Sequence, residues 1–91
     1  MGRHIAKAFK EARIEAGLSQ WDVAKELGYG TPQFISNIER GISTIPMDKL
    51  TDISKLFGRR PVAFFEAFRE DLIEEMYAKL KETKRRLKGT I

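Results

Sequence analysis

Four polar side chains recur at three- and four-residue steps in one short segment, and they are Gln33, Ser36, Asn37 and Arg40. In a helix this spacing places them together on one side, while Ile35 and Ile38 fall on the other. Amide, hydroxyl and guanidinium groups hydrogen-bond to phosphates and to base edges. A protruding helix that is anchored by its isoleucines and presents this polar face fits the major groove of DNA.

Two short helices joined by a glycine turn are predicted to hold this face in place. The first covers about residues 20–27, with Ser19 as its N-cap and Asp22 at the capping-box position. Gly28 ends it. Ala24, four residues before that glycine, is small enough to let the next helix cross closely and at a steep angle.

The helix that carries the polar face covers about residues 32–40. Thr31 is its predicted cap, and Pro32 takes the first helical position, where a missing N–H costs nothing. Gly41 ends the helix. Phe34 flanks the two isoleucine anchors.

Apolar residues elsewhere also recur at helical steps, and no alternation lasts long enough for a strand. This pattern predicts three more helices, over about residues 3–16, 46–57 and 61–87, and therefore an all-α fold. The predicted inward positions outside the third helix are Ile5, Ala8, Phe9, Ala12, Ala16, Val23, Ala24, Leu27, Leu50, Ile53, Leu56 and Phe57.

Length and composition bound the class of protein. Ninety-one residues, 42% hydrophobic and 33% charged, predict one small globular domain with one extra element. Without cysteine there is no disulfide framework, Cys-type zinc site or thiol nucleophile, which favours the reducing cytoplasm. We expect neither a signal peptide nor a membrane span, because no apolar run is long enough.

Enzymatic chemistry has little support in the sequence. There is no glycine-rich phosphate loop, no metal-ligand cluster and no paired nucleophile and base. His4 is not accompanied by a second histidine or a cysteine. We therefore expect no catalytic residue, no metal site and no cofactor.

The net charge of +4 favours a polyanionic partner without choosing one. Residues 78–91 carry six basic groups against Glu82, whereas residues 19–45 carry two basic groups against three acidic ones. The weak charge of the second segment leaves a second hypothesis open. In that hypothesis the chain is a protein-interaction module whose DNA binding has lapsed.

The segment 19–41 resembles the helix-turn-helix of the phage Cro/C1 repressor family, also called Xre-like. The resemblance extends over about residues 4–68 and is carried by Ser19-Gln20, Val23-Ala24, Leu27-Gly28 and the run from Ile35 to Gly41. The segment differs from the commonest pattern of the family in two ways. It has one extra residue between Gly28 and Ile35, which we place in the Tyr29-Gly30 turn, and it has Asn37 where the family frequently has a basic residue.

This resemblance implies a five-helix, lambda-repressor-like DNA-binding domain over residues 1–68 and a long C-terminal helix over residues 61–91. It also implies roles for individual residues. Gln20 would bind a phosphate, with a base edge or Gln33 as further partners. Gln33 would bind an adenine edge, and Asn37 would bind an adenine edge or a phosphate. Arg13 would form a partly buried ion pair with Glu39. The implied DNA-binding residues are Gln20, Thr31, Pro32, Gln33, Ser36, Asn37, Arg40, Ser43 and Thr44.

The C-terminal helix carries an apolar stripe that is longer than the core of so small a domain can cover. Its predicted dimerisation residues are Phe65, Phe68, Leu72, Met76 and Leu80, and Phe64, Ile73 and Tyr77 widen the stripe. A different protein, such as a toxin or an effector, is the alternative occupant. A membrane surface fits less well because Glu70, Asp71, Glu74 and Glu75 lie nearby. The basic tail is either a solvated helix end or an extra phosphate contact.

Together these features predict a cytoplasmic regulator, and the family resemblance implies a bacterial, phage or plasmid origin. We expect it to bind double-stranded DNA as a homodimer on a palindromic operator, most simply as a repressor. An antitoxin and a restriction-modification controller have the same fold and stay open. Trp21 is expected to pack within the molecule, on Tyr29 or on the C-terminal helix, and contact with the DNA backbone is the alternative.

Overall fold

The computed structural model describes residues 2–90, and in this range the regular secondary structure is all helical, with turns and loops between the helices. The helices are α1 (Arg3–Glu15), α2 (Gln20–Glu26), α3 (Gln33–Glu39), α4 (Leu50–Phe57) and α5 (Pro61–Thr90), with a 3-10 turn at Met47–Lys49 before α4. The all-α fold and the five predicted helices are confirmed. The predicted domain over residues 1–68 and the predicted C-terminal helix over residues 61–91 end at Met1 and Ile91, and these two residues lie outside the described range.

Side-chain caps define how the helices of the central segment begin. The Asp22 N–H donates to Ser19 Oγ at 3.0 Å, and the Ser19 N–H donates to Asp22 Oδ2 at 2.9 Å. These bonds hold the pKa of Asp22 below its usual range. The predicted capping box is therefore confirmed.

Two helices begin later than their prolines suggested. Helix α3 starts at Gln33, so Pro32 precedes the first helical residue. Thr31 Oγ1 still accepts a hydrogen bond from the Gln33 N–H, at 3.3 Å. Likewise Pro46 opens the 3-10 turn and not α4 itself. In both places the proline ring fixes the approach of the chain before regular α-helical hydrogen bonding begins.

The core lies where α1 to α4 meet the first turns of α5. Phe9, Val23, Ile35, Ile38 and Ile53 have no exposed surface. The Phe9 and Phe57 rings meet edge to face, 5.1 Å between centroids. Of the predicted inward positions, Ala8, Leu27 and Leu56 are half-buried. Ala16 is exposed because α1 ends at Glu15.

Helix α5 divides into a part that packs and a part that projects. Phe64 and Ala67 are buried, and Phe68 lies against the core. Beyond this contact the apolar side chains are exposed, including Leu72 at 57% and Met76 at 61%. Its 30 residues correspond to about 45 Å at 1.5 Å per residue, within a molecule measuring 55 × 25 × 22 Å.

The direction of α5 is fixed by polar contacts with the start of α1. Asp71 accepts the backbone N–H groups of His4 at 2.8 Å and Ile5 at 3.0 Å, and so caps α1 from another helix. Glu74 accepts from Arg3 Nε at 2.9 Å and lies 2.7 Å from His4 Nε2. The hydrogen bond from Arg3 is the main reason that the pKa of Glu74 falls to about 2.

No helix among the described residues is both long and apolar enough to cross a membrane.

Candidate nucleic-acid interface

Helix α3 is seated on the core by its inner side. Ile35 and Ile38 are completely buried, and the helix packs against α1 and α2. On the opposite side Gln33 and Arg40 are exposed, while Ser36 and Asn37 are half-buried. The four polar residues therefore share one outward face, as their spacing predicted. Their contact with DNA stays a prediction.

An ion pair between Arg13 on α1 and Glu39 on α3 fixes the end of the outward helix. The guanidinium forms a fork, with Nε 2.6 Å from Glu39 Oε2 and Nη2 2.9 Å from Oε1. Arg13 Nη1 also donates to the carbonyl oxygen of Leu18 at 2.8 Å. The side chains are only 12% and 4% exposed, so the pair lies almost entirely out of water.

The amide side chains are held by hydrogen bonds within the protein. Gln33 Nε2 donates to Asn37 Oδ1 at 3.0 Å, across one helical turn. Gln20 Nε2 donates to Glu39 Oε1 at 3.3 Å, which ties the start of α2 to the end of α3. The Gln33 carbonyl and the Asn37 NH₂ group remain as an acceptor and a donor. That pair of functions complements the N6 and N7 positions of adenine.

An aromatic contact that sequence reasoning missed closes the turn between α2 and α3. The Tyr29 ring packs on the Phe34 ring, 4.9 Å between centroids. Lys49 Nζ lies 5.3 Å from the Tyr29 ring centroid and donates to the Leu27 carbonyl oxygen at 3.2 Å. Gly28, at a φ of 83°, makes the turn. Tyr29 therefore contacts Phe34 on one side and Lys49 on the other, within the turn where the sequence analysis places the extra residue.

The flanking candidates lie at both ends of α3. Thr31 and Pro32 are exposed just before it. After it, Thr44 is exposed and Ser43 half-buried, and the Ser43 N–H donates to the Asn37 carbonyl oxygen at 3.1 Å. This bond holds the loop against the end of α3, close to the polar face.

Internal bonding explains the weak charge of residues 19–45. Glu39 is neutralised by Arg13, and Asp22 is engaged in the capping box. Within residues 2–90, Glu26 is the acidic side chain of this segment that takes part in neither an ion pair nor a helix cap. Arg40 is exposed at the end of α3. The acidic groups near the polar face are therefore mainly structural, and they do not argue against a polyanionic partner.

Trp21, next to Gln20, is 41% exposed. Its ring contacts Lys25 of the same helix, with Nζ 5.7 Å from the ring centroid. Tyr29 pairs with Phe34, and the packing of Trp21 on Tyr29 or on the C-terminal helix stays a prediction.

One cluster of described side chains has the composition of a metal site. His4, Asp71 and Glu74 offer ligand atoms that lie within 4.8 Å of one another. Both Asp71 oxygens already accept backbone N–H groups, and Glu74 is paired with Arg3. The cluster therefore has a structural explanation as the junction between α1 and α5, and sequence spacing gave no sign of it.

Comparison with known proteins supports a family assignment. The family model described as Helix-turn-helix matches residues 9–64, which is more than half of the chain. No curated protein and no solved structure matches the chain. The matched range contains α2, the turn, α3 and both residues of the Arg13–Glu39 ion pair. The chain belongs to the Cro/C1-type helix-turn-helix family of DNA-binding proteins.

Proposed function

We propose that this protein is a sequence-specific regulator of transcription that binds a palindromic operator as a homodimer and represses by occupying the promoter. Helix α3 enters the major groove, with Gln33 and Asn37 on base edges and Ser36 beside them. Gln20, Thr31, Pro32, Arg40, Ser43 and Thr44 contact the flanking backbone or thymine methyl groups. The apolar stripe of α5, including Phe65, Leu72, Met76 and Leu80, joins the two copies.

The observation that supports this proposal is that Gln33 and Asn37 lie on the outward side of a helix whose inner side is packed on the core. Ile35 and Ile38 hold α3 from below, and the Arg13–Glu39 fork holds its end. A side chain that is already placed loses little conformational entropy on binding. The Gln33–Asn37 hydrogen bond keeps both amides on the face that would meet the bases.

A protein partner is the second candidate, and the exposed stripe of α5 favours it. Leu72, Met76 and Leu80 are each more than half exposed, which suits a toxin or another regulator as well as a second copy. In that role the chain is an antitoxin, a restriction-modification controller or an interaction module without DNA binding. Phe68 packs on the core and contributes less to any such surface.

The test begins by selecting bound duplexes from a random DNA pool, followed by anisotropy titrations of the selected site. Specific proteins of this kind bind their sites roughly 10³-fold or more tighter than unrelated DNA. Each well-placed amide–adenine contact contributes about 1–3 kcal/mol of discrimination. Two such contacts amount to about 2 kcal/mol or more, so replacing Gln33 and Asn37 together by alanine should weaken binding at least about 30-fold and leave the affinity for unrelated DNA unchanged.

A matched control is Thr51→Ala, which removes an exposed polar side chain from α4, outside the proposed interface. Its affinity for the selected site should equal that of the unchanged protein. If no sequence is enriched, or if the double alanine variant binds the selected duplex as well as the control does, the proposed mode of base recognition is wrong.

A further inference from the structure

We propose that two copies of α5 pair antiparallel, with the two-fold axis at Met76. This inference rests on the homodimer proposed above and specifies its geometry. Five exposed apolar side chains of α5 carry it, at 50–61% exposure: Phe65, Leu72, Met76, Leu80 and Leu87. At 100° per residue they fall within a stripe about 80° wide that runs about 33 Å along the helix.

The spacing of these five residues is the same in both directions. From Phe65 the steps are seven, four, four and seven residues, so the series is symmetric about Met76. Antiparallel pairing around that residue places Phe65 against Leu87 of the second copy and Leu72 against its Leu80. The polar residues inside the stripe, Arg69 and Thr83, lie seven residues to either side of Met76 and also face each other. Each of these five apolar side chains thus faces one of the same five in the second copy, and the exposed Ile73 and Tyr77 lie on the flank beside them.

The charges beside the stripe select the same orientation. On one flank Glu66 and Glu70 occupy the N-terminal half, and Lys81, Lys84 and Lys88 occupy the C-terminal half. In an antiparallel pair Glu66 lies between Lys84 and Lys88 of the second copy. In a parallel pair Glu66 would lie about 27 Å along the axis from Lys84 of the second copy, at 1.5 Å per residue, and this charge pairing would be lost.

Charge exchange tests the orientation. Dimer dissociation constants would be measured by sedimentation for Glu66→Lys, for Lys84→Glu with Lys88→Glu, and for all three substitutions together. Antiparallel pairing predicts that the first two variants dissociate about tenfold more readily, since exposed ion pairs are each weak but occur twice by symmetry. The triple variant should recover the original affinity. Thermal melting of each variant checks that the fold is intact.

Spin labels give an independent measurement, because the chain contains no cysteine. Single cysteines would replace Ala78 or Arg85, which are exposed on the side of α5 away from the stripe. In the antiparallel dimer the two Ala78 sites lie about 6 Å apart along the axis and the two Arg85 sites about 27 Å apart, at 1.5 Å per residue. A parallel dimer gives no axial separation at either site.

The outcomes separate this inference from the proposed function. A dimer in which the Arg85 labels stay as close as the Ala78 labels, and in which charge exchange has no effect, overturns antiparallel pairing but leaves the homodimer intact. A chain that sediments as a monomer at high concentration overturns both. Neither result changes the test of base recognition by Gln33 and Asn37, which is read from the selected DNA.

Discussion

The substitution Glu39→Gln tests how strongly the packing of α3 on the core depends on the buried ion pair. It keeps the shape of the side chain but removes its charge, and it leaves the Arg13 guanidinium, which is only 12% exposed, without a carboxylate. The variant loses a charged fork with contacts of 2.6 and 2.9 Å. It also weakens the acceptor that Gln20 uses.

Breaking one side of a well-buried pair costs about 3–5 kcal/mol. We expect a loss near the lower end, about 3 kcal/mol, because Arg13 keeps its hydrogen bond to the Leu18 carbonyl oxygen. A domain of this size is stable by only about 5–15 kcal/mol. The loss is therefore large enough to lower the melting temperature by more than about 10 °C.

Urea unfolding followed by circular dichroism measures the effect, with Glu15→Gln as the matched control. That substitution makes the same chemical change in an ion pair with Arg59, but there the side chains are 66% and 39% exposed. An exposed pair contributes about 0–1 kcal/mol. If Glu39→Gln costs no more than Glu15→Gln, burial does not strengthen this pair and our explanation of how α3 is seated is wrong.

Two further predictions concern pH and salt. Because the pKa of Glu74 is about 2 in the folded chain against 4.5 ordinarily, the folded state resists protonation of this group. The stabilising effect of the ionised Glu74 carboxylate should be complete above pH 4.5 and disappear as the pH falls toward 2. The difference in unfolding free energy between the natural chain and Glu74→Gln should therefore narrow over that range. A constant difference would contradict the lowered pKa of Glu74. For DNA binding, Arg40→Ala should lower the slope of log Kd against log salt by about one per chain without altering the selected sequence, as expected for a phosphate contact. An altered base preference would instead place Arg40 on a base.

Local signals in the sequence were enough to predict most of the fold. The capping box of Ser19 and Asp22, the glycine ends and the stripes of Ile35, Ile38, Leu50 and Ile53 depend on residues within a few positions of one another. Such patterns follow directly from helix geometry. The shifted start of α3 shows their limit, because proline fixes φ without deciding where α-helical hydrogen bonding begins.

Contacts between residues far apart in the chain could not be predicted in this way. Asp71 caps α1 across a separation of 67 residues, and Lys49 reaches the Tyr29 ring from the turn before α4. No spacing rule connects either pair. The ion pair between Arg13 and Glu39 was predicted only from the family resemblance, because 26 residues separate the two in the sequence. The outward amides were predictable because they share one helix.

Helix α1 joins the two surfaces on which the proposed function depends. Through Arg13 it holds α3, and through its first turn it holds α5 by way of Asp71 and Glu74. In the proposed dimer the distance between the two α3 helices is therefore set by how α5 meets α1, whereas the bases contacted are set by Gln33 and Asn37. Changes at the α1–α5 junction should alter the preferred half-site spacing and leave each half-site sequence unchanged, because the junction lies at the start of α1, whereas the amides lie on α3, which α1 contacts through Arg13 near its other end.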